Sequence, residues 1–188
     1  SPAMRAVVQR VTAAGVSVGG KVVGFAERGI LVYLGVAAGD CEEDAAWLAD
    51  KAANLRIFED SEGKMNRSIL DEGGQVLVIS QFTLLADARK GRRPSYSGAA
   101  APEAAKPLYE RFVELLRGYV GQVETGVFQA AVAAKERGQA GERGSTLIKD
   151  LWAKGEIEAR YVAVALAGLL RDASATTILL EASRDKLL

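Results

Sequence analysis

The sequence predicts an α+β fold, with a barrel or strongly curved sheet carrying two helices, followed by an all-helical C-terminal segment. Three observations predict it. Short runs of β-branched and aliphatic residues, separated by Gly- and Asp-rich breaks, recur as far as Phe128. Two stretches of helical periodicity interrupt them. From about Ala131 the chain turns Ala-, Gly- and charge-rich, and strand alternation stops. The expected division is a domain over 4–130 and a helical tail over 131–188.

The elements follow in order. Residues 4–11 and 29–36 (Gly-Ile-Leu-Val-Tyr-Leu-Gly-Val) are β-rich, and between them 16–18 and 21–25 flank Gly19-Gly20, a hairpin turn. Asp40, with Glu43 three residues on, suits a helix cap. Ala45, Leu48, Ala52 and Leu55 then share one helical face. Arg56-Ile57-Phe58 returns to strand, and Asp60-Ser61-Glu62-Gly63 is turn chemistry. Ser68-Ile69-Leu70 reads as an edge strand. Residues 76–79 form the most apolar strand, and Pro102 suits the first position of a helix. Its inward stripe is expected to be Leu108, Phe112, Leu115 and Tyr119, and it ends near Gly118 or Gly121. The last convincing strand is 123–128. In the tail, Ser145 caps a helix carrying Leu147, Ile148, Leu151 and Trp152. A second helix is expected over 156–171, and a last one carries Ile178, Leu179, Leu180 and Leu187.

Composition excludes several chemistries. With 24 basic and 24 acidic residues among 188, no global field draws the chain to nucleic acid, so any RNA affinity must be local. The absence of histidine removes Ser-His and Cys-His schemes and the commonest transition-metal ligand. The single Cys41 forms no internal disulfide and suits a reducing cytoplasm. It sits at a helix start, which can acidify a thiol, though an inert helix-start cysteine is the plainer reading. The longest apolar run, 161–170, is too short to span a bilayer. Ser1-Pro2-Ala3 ahead of Met4 reads as an added leader. No carboxylate cluster, metal set or phosphate-cradling glycine fingerprint stands out, so no cofactor and no metal are expected.

One strand end can do more than pack. After Val76-Leu77-Val78-Ile79 come Ser80, Gln81, Phe82 and Thr83, and shortly afterwards Arg89, Lys90, Arg92 and Arg93 crowd a short loop. The hydroxyls can equally satisfy local backbone, and Phe82 can be core or a base-stacking ring. The basic loop can be a solvated surface or a phosphate contact. Lys64 and Asn66 suit a turn as well as a site.

Four motifs in fixed order sharpen this: Asn54-Leu55-Arg56-Ile57-Phe58-Glu59-Asp60, Gly63-Lys64-Met65-Asn66, Ser80-Gln81-Phe82-Thr83-Leu84 and Lys90-Gly91-Arg92-Arg93-Pro94-Ser95. With them, the chain resembles the D-aminoacyl-tRNA deacylases over about 4–130. The opening Met4-Arg5-Ala6-Val7-Val8-Gln9-Arg10-Val11 and the later Val123-Glu124-Thr125-Gly126-Val127-Phe128 are similar to that family too. The resemblance implies a homodimer of small barrel-like subunits with active sites at the dimer interface. It also implies hydrolysis of the ester joining a D-amino acid, or glycine, to the terminal adenosine of tRNA. Thr83 matches the family's nucleophile or positioning hydroxyl, within a catalytic group of Ser80, Gln81, Phe82 and Thr83. Phe128 matches an aromatic that packs on the adenine, and Arg10 an arginine that braces the second motif. Arg89, Lys90, Arg92 and Arg93 match a tRNA-binding loop. With no histidine to deprotonate Thr83, assistance by the substrate's own 2′-hydroxyl is the favoured route. Backbone N–H groups near Phe82 and Thr83 serve as the oxyanion hole.

The resemblance also implies a closing Asn-x-Gly-Pro-x-Thr motif that excludes L-amino acids. No proline follows Pro107, and Val132 stands where a Met is expected. Residues 175–181 resemble only the strand after that motif. A cis X–Pro bond is not cheaply imitated, since the non-proline form costs about 2.5–4 kcal/mol. Weak activity or lost chiral rejection is therefore expected. The other expectation, from a different class, is a non-catalytic scaffold, chimeric or engineered, in which the helical tail drives homo-oligomeric assembly.

Overall fold

The computed structural model describes residues 3–18, 21–89, 93–129, 163–165 and 177–181. Four strands open the chain: β1 (Arg5–Val11), β2 (Ala14–Val18), β3 (Lys21–Ala26) and β4 (Gly29–Gly35). Then follow α1 (Glu42–Asn54), β5 (Phe58–Glu59), β6 (Met65–Arg67), α2 (Ile69–Glu72) and β7 (Gln75–Ser80). A 3-10 turn (Phe82–Leu85), α3 (Pro102–Tyr119), β8 (Val123–Thr125), β9 (Ala163–Ala165) and β10 (Thr177–Glu181) complete the order.

A five-stranded sheet runs β10-β1-β4-β7-β8, and a three-stranded sheet runs β3-β2-β9. In the larger sheet β1 is antiparallel to β10 and β4, while β4–β7 and β7–β8 are parallel. β5 and β6 make a separate short hairpin. The two-residue periodicity of β1, β4 and β7 sorts their side chains into two cores. Ala6, Val8, Ile30, Val32, Leu34, Val76 and Val78 face a core shared with α1 and α3. Leu31 and Leu77 face the opposite way, meeting Val11, Ala14, Val16 and Ala26 in a second core. The molecule is therefore layered as helices, large sheet and small sheet. β4 and β7 are covered on both sides, which is why their sequences are continuously apolar.

Several local expectations are corrected. The N-cap of α1 is Cys41, not Asp40. Asp44 reaches back to the Cys41 backbone N–H at 2.9 Å, while Asp40 accepts from the N–H groups of Ala37 and Met4. Ser68 does not open an edge strand. It caps α2, and Asp71 returns the bond to the Ser68 N–H at 2.7 Å. The buried stripe of α3 is Tyr109, Phe112, Val113 and Leu116, so the inward face is rotated from the expected one and Tyr119 is exposed. The strand expected over 123–128 ends at Thr125.

The expectation of an all-helical tail is corrected where the tail is described. Ala163–Ala165 and Thr177–Glu181 are strands: β9 pairs with β2, and β10 pairs with β1 from Arg5↔Glu181 to Gln9↔Thr177. The outer edge of β1 otherwise presents a row of unpaired backbone groups, and satisfying them outweighs helical preference in a five-residue segment. The remaining helices expected over 131–188, with Ser145, Trp152 and Leu187, lie outside the described residues.

Candidate active site

The end of β7 is where the chain leaves the sheet. Ser80 still pairs with Leu34 of β4, and the Gln81 N–H donates to the Leu34 carbonyl at 2.7 Å. The backbone then tightens into the 3-10 turn, with Leu84 N–H donating to Gln81 and Ala86 N–H to Thr83. Gly35 permits this, because a Cβ there would lie 2.5 Å from Leu85 Cδ2 and 2.9 Å from the Gln81 carbonyl. Leu85 is buried beneath the turn, and the Arg5 guanidinium donates to the Leu84 carbonyl at 2.9 Å.

Within the turn the Gln81 carboxamide donates to the Thr83 hydroxyl. An oxygen that accepts from Gln81 keeps its own proton as a donor. Among the described residues no side chain stands ready to remove that proton, and no group of three metal-ligating residues forms. Because i→i+3 bonding begins at Leu84, the Phe82 and Thr83 N–H groups precede the first intraturn bond.

Phe128 lies three residues beyond the end of the neighbouring strand, β8. The Gly126 N–H donates to the Val78 carbonyl at 3.3 Å, extending the β7–β8 pairing by one bond. The Phe128 ring packs on Tyr109 with centroids 5.6 Å apart. The Tyr109 hydroxyl donates to that same Val78 carbonyl at 2.9 Å. Burial pushes the Tyr109 phenol far above its ordinary range, so it stays a donor. Ser80, Gln81 and Thr83 stand at the end of β7, and Phe128 follows the end of the parallel strand β8, held on Tyr109.

Phe82 points outward, 48% exposed, and meets Tyr96 edge to face. The basic loop behind it is closed at its neck by two 2.8 Å bonds between the backbones of Asp87 and Ser95. Arg89 is engaged with Asp87 at 2.6 Å, and this pairing holds the Asp87 carboxyl well below its usual range. Arg93 is exposed, and Lys90 and Arg92 lie outside the described residues. Arg10 is not gathered with the turn residues by any of these contacts. Its guanidinium donates to the Ile57 carbonyl at 2.6 Å and lies 3.9 Å from Glu59, clamping β5.

Asn66 and Lys64 act as turn residues: Asn66 donates to Asp60, whose other oxygen accepts the Lys64 and Glu62 N–H groups. Those backbone donors lower the Asp60 pKa. Cys41 is not an acidified thiol. The Asp44 N–H lowers its pKa, but hydrogen bonding to the Glu43 and Asp44 carboxylates prevails and raises it. Sequence reading missed Arg5, Tyr96 and Tyr109. Tyr109 had a signal, standing next in sequence to Leu108 of the expected stripe. Arg5 and Tyr96 had none, because their partners are distant in the chain.

Comparison with known proteins assigns the chain to a family. The family model described as D-Tyr-tRNA(Tyr) deacylase matches residues 7–138. A D-aminoacyl-tRNA deacylase from Fervidobacterium nodosum is 62% identical over 127 residues, covering 68% of this chain and 85% of its own. One from Thermotoga petrophila is 60% identical over 127 residues with the same coverage. Among solved structures, the c-Myc DNA Unwinding Element Binding Protein aligns with a TM-score of 0.63 at 38% identity, covering 66% of this chain and 85% of that one. A probable eukaryotic D-amino acid tRNA deacylase aligns at 0.57 and 20% identity over 66% of this chain and 88% of that one, a likeness of fold. The chain belongs to the D-Tyr-tRNA(Tyr) deacylase family.

Proposed function

We propose that the chain hydrolyses the ester of D-aminoacyl-tRNA, with the acceptor end lying across Ser80, Gln81, Phe82 and Thr83. The observation that carries this is the Gln81–Thr83 contact at the end of β7. Water attacks the ester carbonyl, the bond to the ribose 3′-oxygen breaks, and the free amino acid leaves. The Phe82 and Thr83 N–H groups stabilise the developing oxyanion, and Thr83 positions the substrate by donating its proton. The 2′-hydroxyl of the terminal adenosine moves the proton, since no side-chain base stands beside Thr83 among the described residues. Phe128 packs on the adenine, Arg89, Lys90, Arg92 and Arg93 supply phosphate contacts, and Arg10 acts at one remove by bracing β5. The setting is cytoplasmic, and the working unit is a homodimer or higher homo-oligomer. The exposed Val22, Val23 and Phe25 on β3 support an association surface there.

Without a proline after Pro107, the proposal includes weak or unselective turnover. The test is hydrolysis of matched D- and L-aminoacyl-tRNA, together with a D-aminoacyl ester on a 2′-deoxyadenosine end. The deoxy substrate should lose roughly 10²–10⁴-fold in rate, the range for a lost proton shuttle. Thr83→Val should lose less. Fast turnover confined to D-esters would remove the unselective reading. Full activity on the deoxy substrate, with none left in Thr83→Val, would make Thr83 the nucleophile.

The scaffold reading is the second. Pairing of β9 with β2 and of β10 with β1 favours a sheet-closing part over an appended module for these tail residues. Truncation after Gln129 should therefore expose two strand edges and cause aggregation. A truncated chain that stays folded but loses its oligomeric state would favour the scaffold.

A further inference from the structure

We infer that Phe82 and Tyr96 form a stacking platform for the unpaired base that precedes the terminal adenosine, a cytidine at a tRNA 3′ end. This rests on the deacylation reading and extends it by one nucleotide. The rings meet at 5.4 Å and 68°, and a T-shaped pair leaves at least one ring face open. Phe82 is 48% and Tyr96 41% exposed, so neither ring is held in place by burial.

The main chain holds Tyr96 instead. The Asp87–Ser95 bonds close the loop one residue before it, and the Ala99 N–H donates to the Tyr96 carbonyl at 3.0 Å. Ala99 in turn bridges to Ala37 beyond β4. Two exposed rings on a fixed backbone are preorganised to receive a flat partner.

Charge and position indicate which partner. In sequence, four cations (Arg89, Lys90, Arg92, Arg93) stand between Asp87 and Ser95, against the one carboxylate of Asp87. Aromatic faces beside a cationic track are the combination that binds single-stranded nucleic acid. Phe82 immediately precedes Thr83, so a base on the platform lies next to the nucleotide whose ester faces Thr83. Phe128, beyond the end of β8 and backed by the buried Tyr109 of α3, remains for the adenine.

The test is the full chain carrying Tyr96→Ala or Tyr96→Trp, assayed on D-aminoacyl-tRNA and on D-aminoacyl-adenosine, which has no upstream base. The same proteins are titrated calorimetrically with the trinucleotide CCA and with adenosine. Tyr96→Ala should raise KM for the tRNA and weaken CCA binding about tenfold, as loss of one stacked base does. Aminoacyl-adenosine hydrolysis and adenosine binding should not change, and Tyr96→Trp should behave as wild type. An equal loss on both substrates, or an unchanged tRNA KM with unchanged CCA affinity, overturns the platform. If the wild-type chain hydrolyses neither substrate, the deacylation reading fails, and the CCA titration alone decides the platform.

Discussion

The guanidinium of Arg5 donates to the Leu84 carbonyl at 2.9 Å, joining residues 79 apart in the chain. Arg5 opens β1, and Leu84 belongs to the turn that carries Thr83. The bond therefore ties the candidate catalytic turn to the strand that also receives β10. Arg5→Ala should lower kcat for deacylation about tenfold with little change in KM, because Thr83 is then less well placed. Loss of a hydrogen bond from a charged donor should also cost about 1.5–3 kcal/mol of stability. Steady-state kinetics beside thermal unfolding checks both, and an unchanged kcat would show that the turn holds itself.

Asp87 and Arg89 form an exposed pair at the proposed tRNA-binding loop. Side-chain hydrogen bonding from Arg89 is the largest cause of the lowered Asp87 pKa. A depressed carboxyl contributes fully above its unfolded value, about 3.9, and its contribution fades only as pH falls through the lower folded value. Between neutrality and pH 5 the pair should therefore leave RNA binding unchanged. Asp87→Asn removes the carboxylate charge at every pH and frees Arg89 for a phosphate. The slope of log affinity against log salt should steepen by about 0.7, one extra contact to a single strand. An identical slope would mean that the Asp87 pairing does not withhold Arg89 from the RNA backbone.

Gly29 and Gly118 should respond oppositely to alanine. A Cβ at Gly29 would lie 1.8 Å from the Gln75 carbonyl oxygen, where β4 and β7 run side by side. Gly29→Ala must push these strands apart and should cost about 3 kcal/mol, with much of the protein insoluble. Gly118 lies in α3 with open space around it, and Gly118→Ala should stabilise by about 0.5–1 kcal/mol. Denaturant midpoints compare the two directly.

Local patterns were legible where one segment carries its own answer. The hairpin of β2 and β3 across 19–20, the strand β7 and the helices α1 and α3 all follow from periodicity and turn residues. Capping was legible in kind but displaced in place. Asp40 looked like the cap of α1, yet its carboxylate is taken by Met4 and Ala37, and the first of these is distant in sequence. The tail misled for a related reason. Ile178, Leu179 and Leu180 fit a helix when read alone, whereas the edge of β1 makes them a strand.

The sequence by itself determined the family and singled out the candidate segment, since Ser80, Gln81, Phe82 and Thr83 stand in an ordered set of short motifs. Only the tertiary structure decided which groups surround that segment. It placed Phe128 on Tyr109, Tyr96 against Phe82, Arg5 beneath Leu84 and Arg10 on β5. Periodicity and capping act within a few residues and can be read along the chain. Ladder pairing, ring contacts and long side-chain bonds join positions that are brought together only when the sheets close, so they are properties of the packed fold.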